Sequence, residues 1–148
     1  MKVFLDANVF FAAAGSPTGG SAFVLELAKH KKIQAATVGY ALVEAERNIQ
    51  KKLGGEALER HYENLLAVKP DIQSIDNVPI GIATALEQLL VRKDVPILLG
   101  AMLSKSDFFI TLDRKDFLDN KRLKEAELSF QIVTPGDFLQ KYIREHEK

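Results

Sequence analysis

Short β-favouring apolar runs alternate with helix-length segments along most of the chain, and this alternation constrains the fold more than any other feature. The runs are residues 3–5, "IQAATV" at 33–38, "DIQSID" at 71–76, "FFITL" at 108–112 and "FQIVT" at 130–134. Between them, residues 22–32, 40–53, 56–68, 82–91 and 94–103 read as helices. A last helix follows the fifth run, with Thr134 as its cap and Pro135 at its first position. The tract "GSPTGGS" reads as a loop, and Gly54 with Gly55 as the reversal after a helix. Strands alternating with helices build an α/β fold around a mainly parallel sheet of about five strands, covered on both faces. Such sheets keep their ligands outside the carboxyl ends of the strands. The 148 residues show no internal repeat and no linker, so a single domain spanning 1–148 is expected.

Four acids fall where that rule puts chemistry. Asp6 ends the first run, and Asp113 directly follows "FFITL". Asp94 opens the helix leading into that run, and Glu44 lies early in the helix after "IQAATV". Carboxylates brought together without matching Arg or Lys repel one another and are stable as anions only around a cation. An all-oxygen donor set suits Mg²⁺ or Mn²⁺ rather than zinc. Such a site activates water against a phosphodiester. Asp107 is excluded, because it begins the strand that Asp113 ends and a strand of that length separates them by on the order of 20 Å. Glu44 and Glu46 point about 200° apart on a helix, so one of them at most faces the site. Periodicity alone leans toward Glu46, which shares its side with Leu42, Ile49 and Leu53. Each acid also has a plainer reading: Asp94 as a helix cap, Glu44 as a solvated side chain, Asp113 as a turn residue. Asp6 resists one, since a charge at the end of a buried strand needs a partner.

Other chemistries are poorly served. With no cysteine, disulfides, thiolate metal sites and cysteine nucleophiles are ruled out, and a reducing cytoplasm is the natural expectation. The N-terminal residues lack signal-peptide features, and no apolar run is long enough to span a bilayer. Gly15 and Gly20 have phosphate-loop spacing, but Ser21 and Ala22 stand where Lys-Ser/Thr is required. The helix beginning near Ser21 could offer N–H groups to a phosphate, but a plain flexible loop and cap is the favoured reading of the tract. His30, His61 and His146 are scattered, with no triad or zinc spacing. The formal net charge is zero, less basic than nucleic-acid binders usually are. Basic residues are nonetheless clustered at 29–32, 51–52 and 121–124.

Taken together, "FLDANVFF", "YALVEAERNI", "KDVPILLGAM", "SDFFITLDRKDF" and "VTPGDFL" resemble, in the same order, the PIN-domain nucleases. Within that family the likeness is to the VapC-type toxin ribonucleases. It implies a three-layer α/β/α fold and an Mg²⁺- or Mn²⁺-dependent endoribonuclease, the toxin of a toxin–antitoxin pair. It also implies RNA as substrate, an antitoxin protein as partner, a homodimer, and no membrane. By the same likeness, Asp6, Glu44, Asp94 and Asp113 are the catalytic acids, with Asp6, Asp94 and Asp113 on the metal. Asn8 and Thr111 match the polar residues beside the first and last acids, and Asp116 is a further acid behind them. Lys105, Arg114 and Lys115 are the basic residues expected to hold RNA. Two alternatives remain: a nonenzymatic RNA-binding module on this fold, and an aspartyl-phosphate phosphatase. The latter is disfavoured by Asn8, which stands where a second Asp is needed.

Overall fold

The computed structural model describes residues 1–76 and 78–146. Five strands form one parallel sheet: β1 (Lys2–Leu5), β2 (Gln34–Thr37), β3 (Asp71–Ile72), β4 (Phe108–Ile110) and β5 (Gln131–Val133). Their spatial order is β3-β2-β1-β4-β5. The eight helices are α1 (Ala7–Gly15), α2 (Gly20–Lys29), α3 (Gly39–Lys52), α4 (Gly55–Val68), α5 (Ile80–Glu87), α6 (Val95–Leu103), α7 (Lys121–Glu125) and α8 (Pro135–His146). The α/β class and the parallel sheet of five strands are as the sequence implies.

β1 is central and apolar throughout, with Val3, Phe4 and Leu5 all fully buried, because both of its faces are covered. Phe4 pairs in register with Phe109. Their rings meet edge-on at 5.6 Å, and Phe117 and Phe130 extend the cluster on that face. α6 lies on this side so closely that a Cβ on Gly100 would stand 2.3 Å from Val38 Cγ1 and 3.0 Å from the Phe4 ring. On the opposite face α8 rests Phe138 against Phe108 at 5.3 Å. α2 packs on α8, and α1 packs among α2, α3 and α4. The molecule is thus three layers deep.

Several elements differ from the sequence reading. No element was expected over residues 7–14, yet they form α1. Asp6 starts this helix by accepting the Ala7 N–H at 2.7 Å, and the alanine-rich segment is buried on several sides. Such a segment has no polar face to reveal its period. The run 71–76 shrinks to Asp71–Ile72, an exposed pair at the sheet edge. The helix expected over 82–91 is α5, two residues earlier at its start and ending at Glu87. α7 covers the whole basic cluster at 121–124. Thr134 caps α8 as expected, its Oγ1 accepting the Asp137 N–H at 3.0 Å. Among the described residues no helix is long and apolar enough to cross a membrane.

Candidate metal centre

The sheet order places a crevice between β1 and β4. From β1 the chain winds outward through β2 to β3, then crosses back to β4 and β5 on the other side. Adjacent strands whose connections depart in opposite directions leave an opening at their carboxyl ends. Asp6 leaves β1 at this opening, and Thr111 to Asp113 leave β4 there.

Thr111 ties the two exits together. Fully buried, it donates through Oγ1 to Asp6 Oδ2 at 2.7 Å and accepts the Asp113 N–H at 3.0 Å. Asn8 makes a second tie: its Nδ2 donates to Asp6 Oδ2 at 3.2 Å and to Thr111 Oγ1 at 3.3 Å, while its Oδ1 accepts the Leu112 N–H at 3.0 Å. Every polar atom of the Asn8 side chain is therefore used in joining β1 to β4. The chain then makes one wide turn, closed by Leu118 N–H on Asp113 O at 3.0 Å. Asp113 Oδ1 accepts the Asp116 N–H at 3.0 Å, which turns the Asp116 carboxylate toward the same space.

Asp94, Asp113 and Asp116 each bring a carboxylate oxygen within 4.8 Å of the others. Asp94 is only 7% exposed, and its Oδ2 finds no hydrogen-bond donor among the described residues. Nor does its side chain cap α6, so the plain helix-cap reading has no support in the geometry. Burial, and then the neighbouring Asp116, push the Asp94 carboxyl up to about 7. Burial pushes Asp116 up as well, but its hydrogen bonding with Asp94 and the Lys93 ammonium outweigh this and leave it low. Asp6 is pushed up to about 6 by burial; the Thr111 and Ala7 hydrogen bonds work against this, and the charges of Glu44 and Asp113 add to it.

Glu44 is thus near enough for its charge to reach Asp6. Glu46 turns away to α4, where its Oε1 accepts the Tyr62 hydroxyl at 2.8 Å. Side-chain geometry parts the two glutamates where periodicity leaned the other way. Two of the expected basic residues, Arg114 and Lys115, lie on the wide turn, with Arg114 paired to Asp119 at 3.6 Å. Lys115 and Asp116 border a pocket of about 470 Å³ that Lys121 and Arg122 also line. Lys105 lies just before β4, at the amino edge of the sheet, whereas Asp113 follows the carboxyl end of the same strand. Asp107 is at that same far edge, accepting the Lys2 N–H at 2.9 Å.

Sequence reasoning passed over Lys93. Its ammonium lies 3.8 Å from Asp94 Oδ1 and 3.5 Å from Asp116 Oδ2, and it is the cation nearest to balancing the cluster. The available signal was adjacency to Asp94. A single exposed ammonium does not neutralise three converging carboxylates. Oxygen donors in excess of local positive charge, one of them buried without a donor, fit a hard divalent cation.

No protein-family model and no curated protein matches the sequence. Among solved structures, a chain in the crystal structure of VapBC2 from Rickettsia felis bound to a DNA fragment from their promoter has a similar architecture. The match covers 90% of this chain and 98% of that chain, with a TM-score of 0.61 and 17% sequence identity. At that identity the likeness is one of fold. It agrees with the PIN-like fold that the ordered motifs resemble.

Proposed function

We propose that the chain is a divalent-metal-dependent endoribonuclease and acts as a VapC-like toxin. The observation that carries this reading is the convergence of Asp94, Asp113 and Asp116, whose carboxylate oxygens come within 4.8 Å of one another, with Asp94 buried and its Oδ2 without a hydrogen-bond partner among the described residues. Asp6, Asp94 and Asp113 would hold Mg²⁺ or Mn²⁺, with Glu44 and Asp116 completing the site directly or through water. When bound, such an ion lowers the pKa of a water molecule and offsets charge developing on a phosphodiester.

The chain's own groups have distinct parts in this scheme. Thr111 and Asn8 hold Asp6 at a fixed angle, so the carboxylate need not reorganise when it is used. Burial of Asp6 and Asp94 limits the screening of their charges by bulk water. Lys93, no longer required to balance Asp94 and Asp116 once a cation is present, is free to meet a phosphate oxygen. Arg114 and Lys115 border the approach and would contact the RNA backbone.

The fold likeness to a chain of a VapBC complex is the ground for proposing an antitoxin protein as partner. Homodimerisation and a cytoplasmic location belong to the same proposal. Calorimetry with Mn²⁺ on the wild-type chain and on Asp6→Asn tests the site, followed by an RNA cleavage screen. The expected result is binding and cleavage that are both lost in the variant, with the far-ultraviolet spectrum kept. Cleavage retained by Asp6→Asn would overturn the assignment. RNA binding indifferent to metal would favour a nonenzymatic module instead.

A further inference from the structure

Asp116 belongs to two places at once. It offers a carboxylate oxygen within 4.8 Å of those of Asp94 and Asp113, and it also borders the cleft of about 470 Å³. One wall of that cleft is residues 87–91, which lead from the end of α5 toward Asp94. The other is the wide turn after β4 together with the start of α7. The walls are pinned to each other. Asn120 Nδ2 donates to Leu89 O and to Asp116 O, both at 3.0 Å, and Arg122 Nη1 donates to Gln88 O at 2.8 Å. The volume falls in the range of small-molecule sites, roughly 300–1,000 Å³.

The cleft carries more positive charge than its own acids balance. Glu87 faces Arg92 at 3.8 Å and Asp116 faces Lys93 at 3.5 Å, so both acids are already met by cations from outside the cleft. Lys115, Lys121 and Arg122 line it and have no acidic partner among the described residues. Three unmatched cations lining one cleft, on a chain of zero net charge, attract an anion. The same cleft has an apolar strip, Leu89 to Val91, of which Val91 is half exposed. Gln88 borders it too, and its exposed side chain offers an amide donor and acceptor. Cations, an apolar surface and a neutral amide match the phosphate, the face and the edge of one unstacked nucleotide. A bare phosphate has no use for the strip, and an uncharged apolar ligand none for the cations.

We infer that this cleft is a nucleotide subsite, holding the residue of a single-stranded RNA that adjoins the phosphodiester at the carboxylates. Lys115 and Lys121 take its phosphate, and residues 88–91 its base. The inference rests on the nuclease reading for the place of the adjoining phosphodiester, though not for the binding of a nucleotide in the cleft. It also gives a use to the basic cluster at 121–124, of which Lys121 and Arg122 border the cleft while Lys124 borders a different pocket.

The test compares Lys121→Glu with Lys124→Glu, two exposed positions at which the change in net charge is identical. A labelled single-stranded RNA hexamer is titrated with the full metal-free chain and followed by fluorescence anisotropy. Lys121→Glu should weaken binding about fivefold to tenfold, and Lys124→Glu less than about twofold, with Mn²⁺ affinity unchanged in both. Equal losses in the two variants, or none in Lys121→Glu, would overturn the subsite. The hexamer paired into a duplex should bind more weakly than the single strand, and a duplex bound as tightly would overturn the assignment to an unstacked base. In an amide-resolved spectrum, 5′-AMP or 5′-UMP should shift residues 88–91, 121 and 122 at concentrations roughly tenfold below those needed with inorganic phosphate. Equal potency of inorganic phosphate would overturn the assignment to a nucleotide. A chain that binds the hexamer through Lys121 but neither binds Mn²⁺ nor cleaves would sink the nuclease reading and support the subsite.

Discussion

Asp94 is a charge in an uncomfortable place, and the discomfort is measurable. An acid whose pKa is higher folded than unfolded keeps its proton in the native state. Its contribution therefore favours folding at low pH and is lost as pH rises from the ordinary 3.8 through about 7. Asp6 behaves alike, with its loss centred between 3.8 and about 6. At pH 8 without metal, Asp94→Asn is expected to be more stable than wild type by about 1–3 kcal/mol in thermal unfolding. Adding Mn²⁺ should raise the wild-type midpoint and leave that of the variant in place; a variant that gained equally would show that Asp94 holds no cation. His61 runs in the opposite direction. It is buried against Phe10 and Tyr62 with neither ring nitrogen bonded, and burial pushes its pKa below 6.5 against the pull of Glu46. The unfolded chain takes that proton more readily, so this contribution to stability is lost as pH falls below about 6.5. His61→Leu should be the more stable form at pH 5 by about 1 kcal/mol, with a smaller difference at pH 8. The positions of Asp6 and Asp113 were legible in the sequence because each directly follows a strand-like run. Lys93 and His61 were not, since a salt bridge to a neighbour and a missing hydrogen bond are facts of side-chain direction.

Elements are held to the sheet by contacts that tolerate little change. Gly100 lets α6 approach Val38 and Phe4, and Gly100→Ala puts a methyl where neither can give way. Its expected cost is about 3 kcal/mol, read from urea unfolding. Because Asp94 leads directly into α6, Mn²⁺ affinity should fall as well. Gly81 in α5 meets nothing within 4 Å, so Gly81→Ala should gain about 0.5–1 kcal/mol and leave the metal site unchanged. The opposite signs of the two glycine changes separate packing from backbone freedom. Strands β1, β2, β4 and β5 could be read from the sequence because their residues are buried and β-favouring. α1 escaped because burial removes the polar stripe that betrays a helix. β3 was overextended because a weak alternation in exposed residues looks the same in a short strand and in an irregular loop.

The molecule as a whole has twenty basic and twenty acidic residues and no net charge. RNA affinity should therefore depend weakly on salt, since each phosphate neutralised by Lys or Arg contributes a slope of only about −0.7 on single strands. Lys115→Glu should lower affinity across RNA sequences and reduce the magnitude of that slope by about 0.7, measured by fluorescence anisotropy over a range of salt. An unchanged slope would place the RNA path elsewhere. The α/β class could be inferred from sequence, whereas the order β3-β2-β1-β4-β5 could not, because nothing local in a strand names its neighbour. That order has a temporal consequence. Asp6 is made among the first residues, but its tie to Thr111 requires β4, residues Phe108–Ile110, to slot in beside β1. A chain still emerging from a ribosome, or one cut short before that point, has Asp6, Glu44 and Asp94 but neither Asp113 nor Asp116. The Asp94–Asp113–Asp116 cluster is therefore complete only when synthesis is in its final third.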